Sequence, residues 1–149
     1  MDTLARPPAV IRRPRITLWT LRLALTVHLL AVLAQPVLAG RYLIGDVDAI
    51  KLHGLIGSLL VLVAMLVIVA TLLYVVGGRG RLWVLPVTVL LFLADSFQVG
   101  FGYERALHLH IPLGVAIVIT SVLLAAWVWT PAAARPRGPR RPSAGEDGR

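Results

Sequence analysis

Four apolar stretches, each long enough to cross a bilayer, occupy most of this chain of 149 residues. A helical span needs about 20 apolar residues at about 1.5 Å of rise each. The stretches at about 17–39, 50–76, 82–101 and 105–130 all reach that length. Hydrophobic residues make up 58% of the chain and the mean hydropathy is +0.82. A soluble domain of this size cannot bury so much apolar surface, so the natural solvent is lipid. The expected fold is all-α: a polytopic membrane protein built as an antiparallel bundle of four transmembrane helices. Short connections at 77–81 and 102–104 make neighbours antiparallel and give an up-down-up-down order. The link at 40–49 reads as the longest between spans. Residues 1–15 and 131–149 are rich in Pro and Arg and are expected to be disordered tails.

The basic residues give the chain an orientation. Arg6, Arg12, Arg13, Arg15, Arg22, Arg79, Arg81, Arg135, Arg137, Arg140, Arg141 and Arg149 all fall on one side of four spans. The other side has only Arg41, Lys51 and Arg105, diluted by Asp46, Asp48 and Glu104. Trp19, Trp83, Trp127 and Trp129 gather at the first boundary, Tyr42 and Tyr103 at the second. Both signals predict cytoplasmic termini in a bacterial inner membrane. The Arg, Ala, Val, Gly and Pro usage fits a GC-rich bacterium. Val37-Leu38-Ala39 before Gly40 resembles a signal-peptidase site, but the apolar stretch ahead of it is long for a signal peptide. The net charge of +8 does not indicate nucleic acid, because its carriers flank membrane spans and no soluble domain is left to present them. They serve topology, with some attraction to anionic lipid. The absence of cysteine excludes disulfides, thiolate metal sites, iron–sulfur clusters and covalently attached haem c.

The two halves of the chain repeat a pattern. Gln35 and Gly40 are followed across a link by His53 and Gly57, and Gln98 and Gly102 by His110 and Gly114. The hairpins are therefore expected to be pseudo-symmetric, about an axis along the membrane normal.

Polar groups inside spans are costly and mark functional candidates. Gln35, His53, Asp95, Gln98, His108 and His110 share the outer third of their helices, whereas His28 lies deeper. Pseudo-symmetry places His53 and His110 at one depth on helices 2 and 4, the arrangement that six-coordinate haem b requires. Gly57 and Gly114, one turn deeper on the same faces, would let a flat macrocycle lie against the backbone. Gly residues also recur wherever membrane helices touch. Gln35, Gln98 or Asp95 could accept the second ring N–H of each imidazole. Arg41, Lys51 and Arg105 are placed to meet haem propionates. His53 and His108 also lie near enough to the interface to face headgroups or water. His108 sits on the face opposite His110. His28 has Leu91 as its counterpart in the second half and could bond a Ser or Thr across the bundle or contact a quinone. Asp95 could be a neutral acid joining helices, a proton carrier or a partner of the haem ligands.

These residues resemble one half of the heme A synthase-type membrane proteins. Stretches 33–65 and 92–116 carry the likeness, in the Gln-x-x-x-x-Gly pattern before a link and a His at the start of the next helix. The arrangement is also similar to small four-helix b-type cytochromes. The resemblance implies a four-helix unit with haem held by His53 and His110. The family has eight helices where this chain has four, and its extracellular cysteine pair is absent here. Its catalytic Glu shortly before the helix 2 His has no counterpart closer than Asp48. Oxidation of a haem methyl group is therefore not implied.

The functional expectation is a bis-His, low-spin cytochrome with one haem b, moving single electrons near the outer face. A quinone or quinol, or an extracytoplasmic redox protein, would be its partner, and a homodimer would restore eight helices. Two other readings compete. In one the polar groups join helices in an accessory subunit without a cofactor. In the other they line a metal or proton path, for which the inner half offers few polar residues. A three-ligand zinc site would need His108 and His110 to converge, which helical geometry opposes.

Overall fold

The computed structural model describes residues 16–137, and the expected disorder of 1–15 and 138–149 lies outside them. Four long helices, α1 (Ile16–Leu43), α2 (Val47–Val76), α3 (Val84–Tyr103) and α4 (Leu107–Val128), form the antiparallel bundle, and a short α5 (Pro131–Ala134) follows. Helix α1 packs on α2, α2 on α3, α3 on α4 and α4 on α1, so α1 faces α3 and α2 faces α4 across the diagonals.

Small and aliphatic side chains close the interior, among them Leu21, Leu25, Ala64, Val67, Val84 and Leu124. The outward faces are just as apolar, with Leu23, Leu30, Leu62, Leu66, Leu90 and Leu123 all exposed. Helices apolar all round, with large residues outside, are built for lipid. This is a multi-pass membrane protein.

The helix ends depart from expectation. Gly40 does not stop α1, which runs on to Leu43. Asp46 then caps α2, its side chain accepting from the Ala49 amide at 3.3 Å, so α2 begins at Val47 and not near Ile50. Gly45, at φ 102°, supplies the left-handed step that reverses the chain. The link between α1 and α2 is thus 44–46, not the longest connection; that is 77–83, between α2 and α3. The α3–α4 link is 104–106, with Arg105 left-handed at φ 56°. Both hairpins therefore turn in three residues at the same end of the bundle.

Aromatic side chains seal the opposite end. Buried Arg22 lies between Trp19 and Trp129, 5.0 and 4.9 Å from the ring centres, and its Nε donates to the Val128 carbonyl at 3.0 Å. Trp127 meets Trp83 and Tyr74 edge to face. The first residues after α4 are ordered, contrary to the expectation for the tail from 131. The Tyr74 hydroxyl donates to the Ala133 carbonyl at 2.8 Å and accepts the Arg81 amide at 3.2 Å. Arg137 donates from its amide to the Arg79 carbonyl and from Nη2 to the Val75 carbonyl. These contacts give a Pro- and Ala-rich segment a fixed seat that its composition does not announce.

Candidate functional site

At the end where both hairpins turn tightly, the four helices leave a cavity of about 260 Å³. His53 of α2 and His110 of α4 face each other across it, ring centroids 6.1 Å apart and planes inclined by 50°. Each ring is fixed by the other helix of its own hairpin. Nδ1 of His53 lies 3.2 Å from the Gln35 carbonyl, and Nδ1 of His110 lies 2.9 Å from the Gln98 carbonyl. A carbonyl only accepts, so each Nδ1 carries a proton, and in the neutral tautomer this leaves the lone pair on Nε2. The structure thus repeats, between the hairpins, one carbonyl–imidazole contact.

This contact revises the expected partners of the imidazoles. The glutamines hold them through backbone carbonyls, not through side-chain amides. The amides lie over the glycines instead. Gln35 Oε1 is 3.7 Å from where a Cβ on Gly57 would stand, and Gln98 Nε2 is 2.8 Å from that point on Gly114. The remaining amide atoms, Gln35 Nε2 and Gln98 Oε1, are buried in the cavity wall without a hydrogen-bond partner. Buried amide groups are rarely left so.

Asp95 also lines the cavity, yet it does not reach His53 or His110. Its Oδ2 stands 2.8 Å from Nε2 of His28, which is wholly buried. Nδ1 of His28 is 3.3 Å from the Ser121 hydroxyl. The expected Ser or Thr partner of His28 is thus Ser121, and its second partner is Asp95.

The basic residues expected near propionates stand apart from the cavity lining. Arg41 pairs with Asp46 at 2.6 Å and Lys51 with Asp48 at 2.8 Å, while Arg105 occupies the turn. His108 is exposed and does not join His110. Among the described residues no three His, Asp or Glu side chains converge on a metal position. Thr71 and Thr120, two of the few hydroxyls in the inner half, bond back to Val67 and Ala116 one turn earlier in their own helices.

The donor set fits a metal ion held by two imidazoles. A nitrogen of each ring bonded at about 2.0–2.1 Å on opposite sides of a metal puts the ring centres about 6 Å apart. The positions beside Gly57 and Gly114 are taken by the Gln35 and Gln98 amides, and at Gly102 a Cβ would press to 3.1 Å from His110 Cε1, so these glycines let side chains of the cavity wall lie close to the backbone. No family model, curated protein or solved structure matches the chain. The case for a function therefore rests on this geometry.

Proposed function

We propose that the chain is a haem b-binding membrane cytochrome in which His53 and His110 would hold the haem iron. The observation that carries this reading is the pair of imidazoles 6.1 Å apart, each with Nδ1 turned to a carbonyl and Nε2 left for a metal. Bound there, haem b supplies one-electron oxidation and reduction. The Gln35 and Gln98 carbonyls fix the tautomer and raise the basicity of the rings. Gly57 and Gly114 let the Gln35 and Gln98 amides lie close to the backbone, and Ile50, Leu60 and Leu107 keep the cavity wall apolar. Two protein ligands leave iron no open coordination position, which favours electron transfer over chemistry on a bound substrate.

The orientation belongs to the same proposal. Arg22, Arg79, Arg81, Arg135 and Arg137 lie at the tryptophan-sealed end, which the positive-inside rule assigns to the cytoplasm of a bacterial inner membrane. The cavity then opens near the outer face, within reach of a membrane quinol or an extracytoplasmic redox protein. A second copy of the chain would complete an eight-helix assembly like that of the resembled family.

A spectrum of the purified protein, dithionite-reduced minus oxidised, tests this directly, with a pyridine haemochrome assay. The expected result is a sharp low-spin b-type signal, lost in His53→Ala and in His110→Ala and kept in His108→Ala. A featureless spectrum from protein made with ample haem would overturn the proposal. The carbonyl–imidazole contacts would then be the means by which an accessory subunit pins its hairpins together.

A further inference from the structure

The internal repeat fixes which residues the bundle needs and which it does not. His28 stands seven residues before Gln35, and the residue seven before Gln98 is Leu91. Asp95 stands three before Gln98, and three before Gln35 is Val32. Ser121 stands eleven after His110, and eleven after His53 is Ala64. Leu91, Val32 and Ala64 are all buried, so the same frame is filled without a polar atom at each equivalent position. His28, Asp95 and Ser121 come from three different helices, and both Asp95 and Ser121 bond to His28. The three polar replacements thus form one connected group.

The chemistry of the chain Asp95–His28–Ser121 suits a group that gains and loses a proton. A neutral imidazole with its proton on Nε2 donates to Asp95 and accepts from the Ser121 hydroxyl at Nδ1. An imidazolium donates to both, and the hydroxyl turns to accept. No hydrogen bond is lost in either state, because a hydroxyl serves as donor or acceptor. Among the described residues Asp95 is the only carboxylate in the cavity wall and the link from that space to His28, which lies behind it. The other titratable side chains lining the cavity are His53 on α2, His110 on α4 and Tyr103 at the end of α3. From α1 the lining takes Gln35, and no Arg or Lys of the described residues joins it. In so apolar a surrounding an added charge is poorly screened, and a nearby proton is the cheapest compensation.

We infer that His28 and Asp95 are a proton-holding pair coupled to the charge of the ligand in the cavity. The pair takes one proton from the aqueous phase when the cavity ligand gains one electron from an external one-electron donor, and returns it when that electron leaves. The coupling rests on the haem reading; the proton-holding pair does not.

Two measurements on the full chain separate the two. The first is the midpoint potential of the holoprotein against pH, poised with a chemical mediator. The wild type should fall in potential as pH rises, because reduction is accompanied by proton uptake. The slope should persist in Tyr103→Phe and disappear in the combined variant His28→Leu, Asp95→Val, Ser121→Ala, which copies the apolar layer of the other half. A flat wild-type potential, or an undiminished slope in the combined variant, would overturn the coupling. The second is infrared difference spectroscopy of haem-free protein with isotope-labelled aspartate, between about pH 5 and about pH 8. A protonation change lost in Asp95→Asn supports the pair even where no haem is found, which would sink the cytochrome alone. No change from Asp95 or His28 in that range would overturn the pair itself.

Discussion

Asp95 on α3 and His28 on α1, which face each other across the diagonal of the bundle, meet with Oδ2 and Nε2 2.8 Å apart. Removing one partner of such a pair leaves the other buried and unmatched, at about 3–5 kcal/mol. Asp95→Val alone should therefore destabilise the bundle by about that much. The combined variant with His28→Leu and Ser121→Ala should recover most of it, since well-packed apolar residues of similar volume replace a buried, hydrogen-bonded polar pair at little cost. Unfolding in mixed micelles measures both. Equal losses in the single and combined variants would show that the layer is not interchangeable with its apolar mate.

The glutamine amides should matter more to a ligand than to the fold. Gln35 Nε2 and Gln98 Oε1 are buried without partners, a condition that costs about 1–3 kcal/mol per group. Gln35→Leu and Gln98→Leu should leave stability of the haem-free protein unchanged or raise it by about 1 kcal/mol. The same variants should lower haem retention on dilution. A loss of stability without loss of retention would assign the amides to packing.

The glycines opposite those amides differ in what they tolerate. A methyl at Gly57 meets Gln35 at ordinary contact distance, whereas one at Gly114 presses on the movable end of Gln98 at 2.8 Å. Both Gly57→Ala and Gly114→Ala should fold, with stability within about 1 kcal/mol of wild type. Haem content per protein should drop in both, and further in Gly114→Ala, where the amide is pushed into the cavity. Pigment yield against protein yield reads this out.

At the tryptophan end, Tyr74→Phe removes a donor to Ala133 and an acceptor from Arg81. Hydrogen bonds in membrane bundles contribute on average about 0.6 kcal/mol each, so the expected loss is about 1 kcal/mol, with α5 freed to proteolysis. Gly80→Ala should be worse, at about 1–3 kcal/mol, because its Cβ would fall within the Tyr74 ring. Protease protection after Val128 should decline in both variants while the haem spectrum stays unchanged.

Apolar length made the four spans readable, because lipid imposes it on each helix separately. The repeat likewise placed His53 and His110 on α2 and α4, and the structure brings them face to face. What spacing could not supply was contact between helices that are distant in sequence. Asp95 lies within reach of several polar groups by depth, and only the placement of α1 across the diagonal from α3 chooses His28. The preference of each imidazole for a main-chain carbonyl was hidden for a related reason, since sequence displays side chains and not free lone pairs on the backbone. One signal was available: extending the repeat beyond Gln and His shows His28, Asp95 and Ser121 all opposite apolar mates. The seat of residues 131–137 had no such signal beyond the Pro of Thr130-Pro131, a residue that often opens a helix.

Each imidazole hangs from a carbonyl within its own hairpin, so neither ring owes its position to the other half of the protein. The gap between them is then a ruler laid across the seam between hairpins. Any force that rocks α1 and α2 against α3 and α4, such as a thinner bilayer or a neighbour pressing on one side, changes that single distance first.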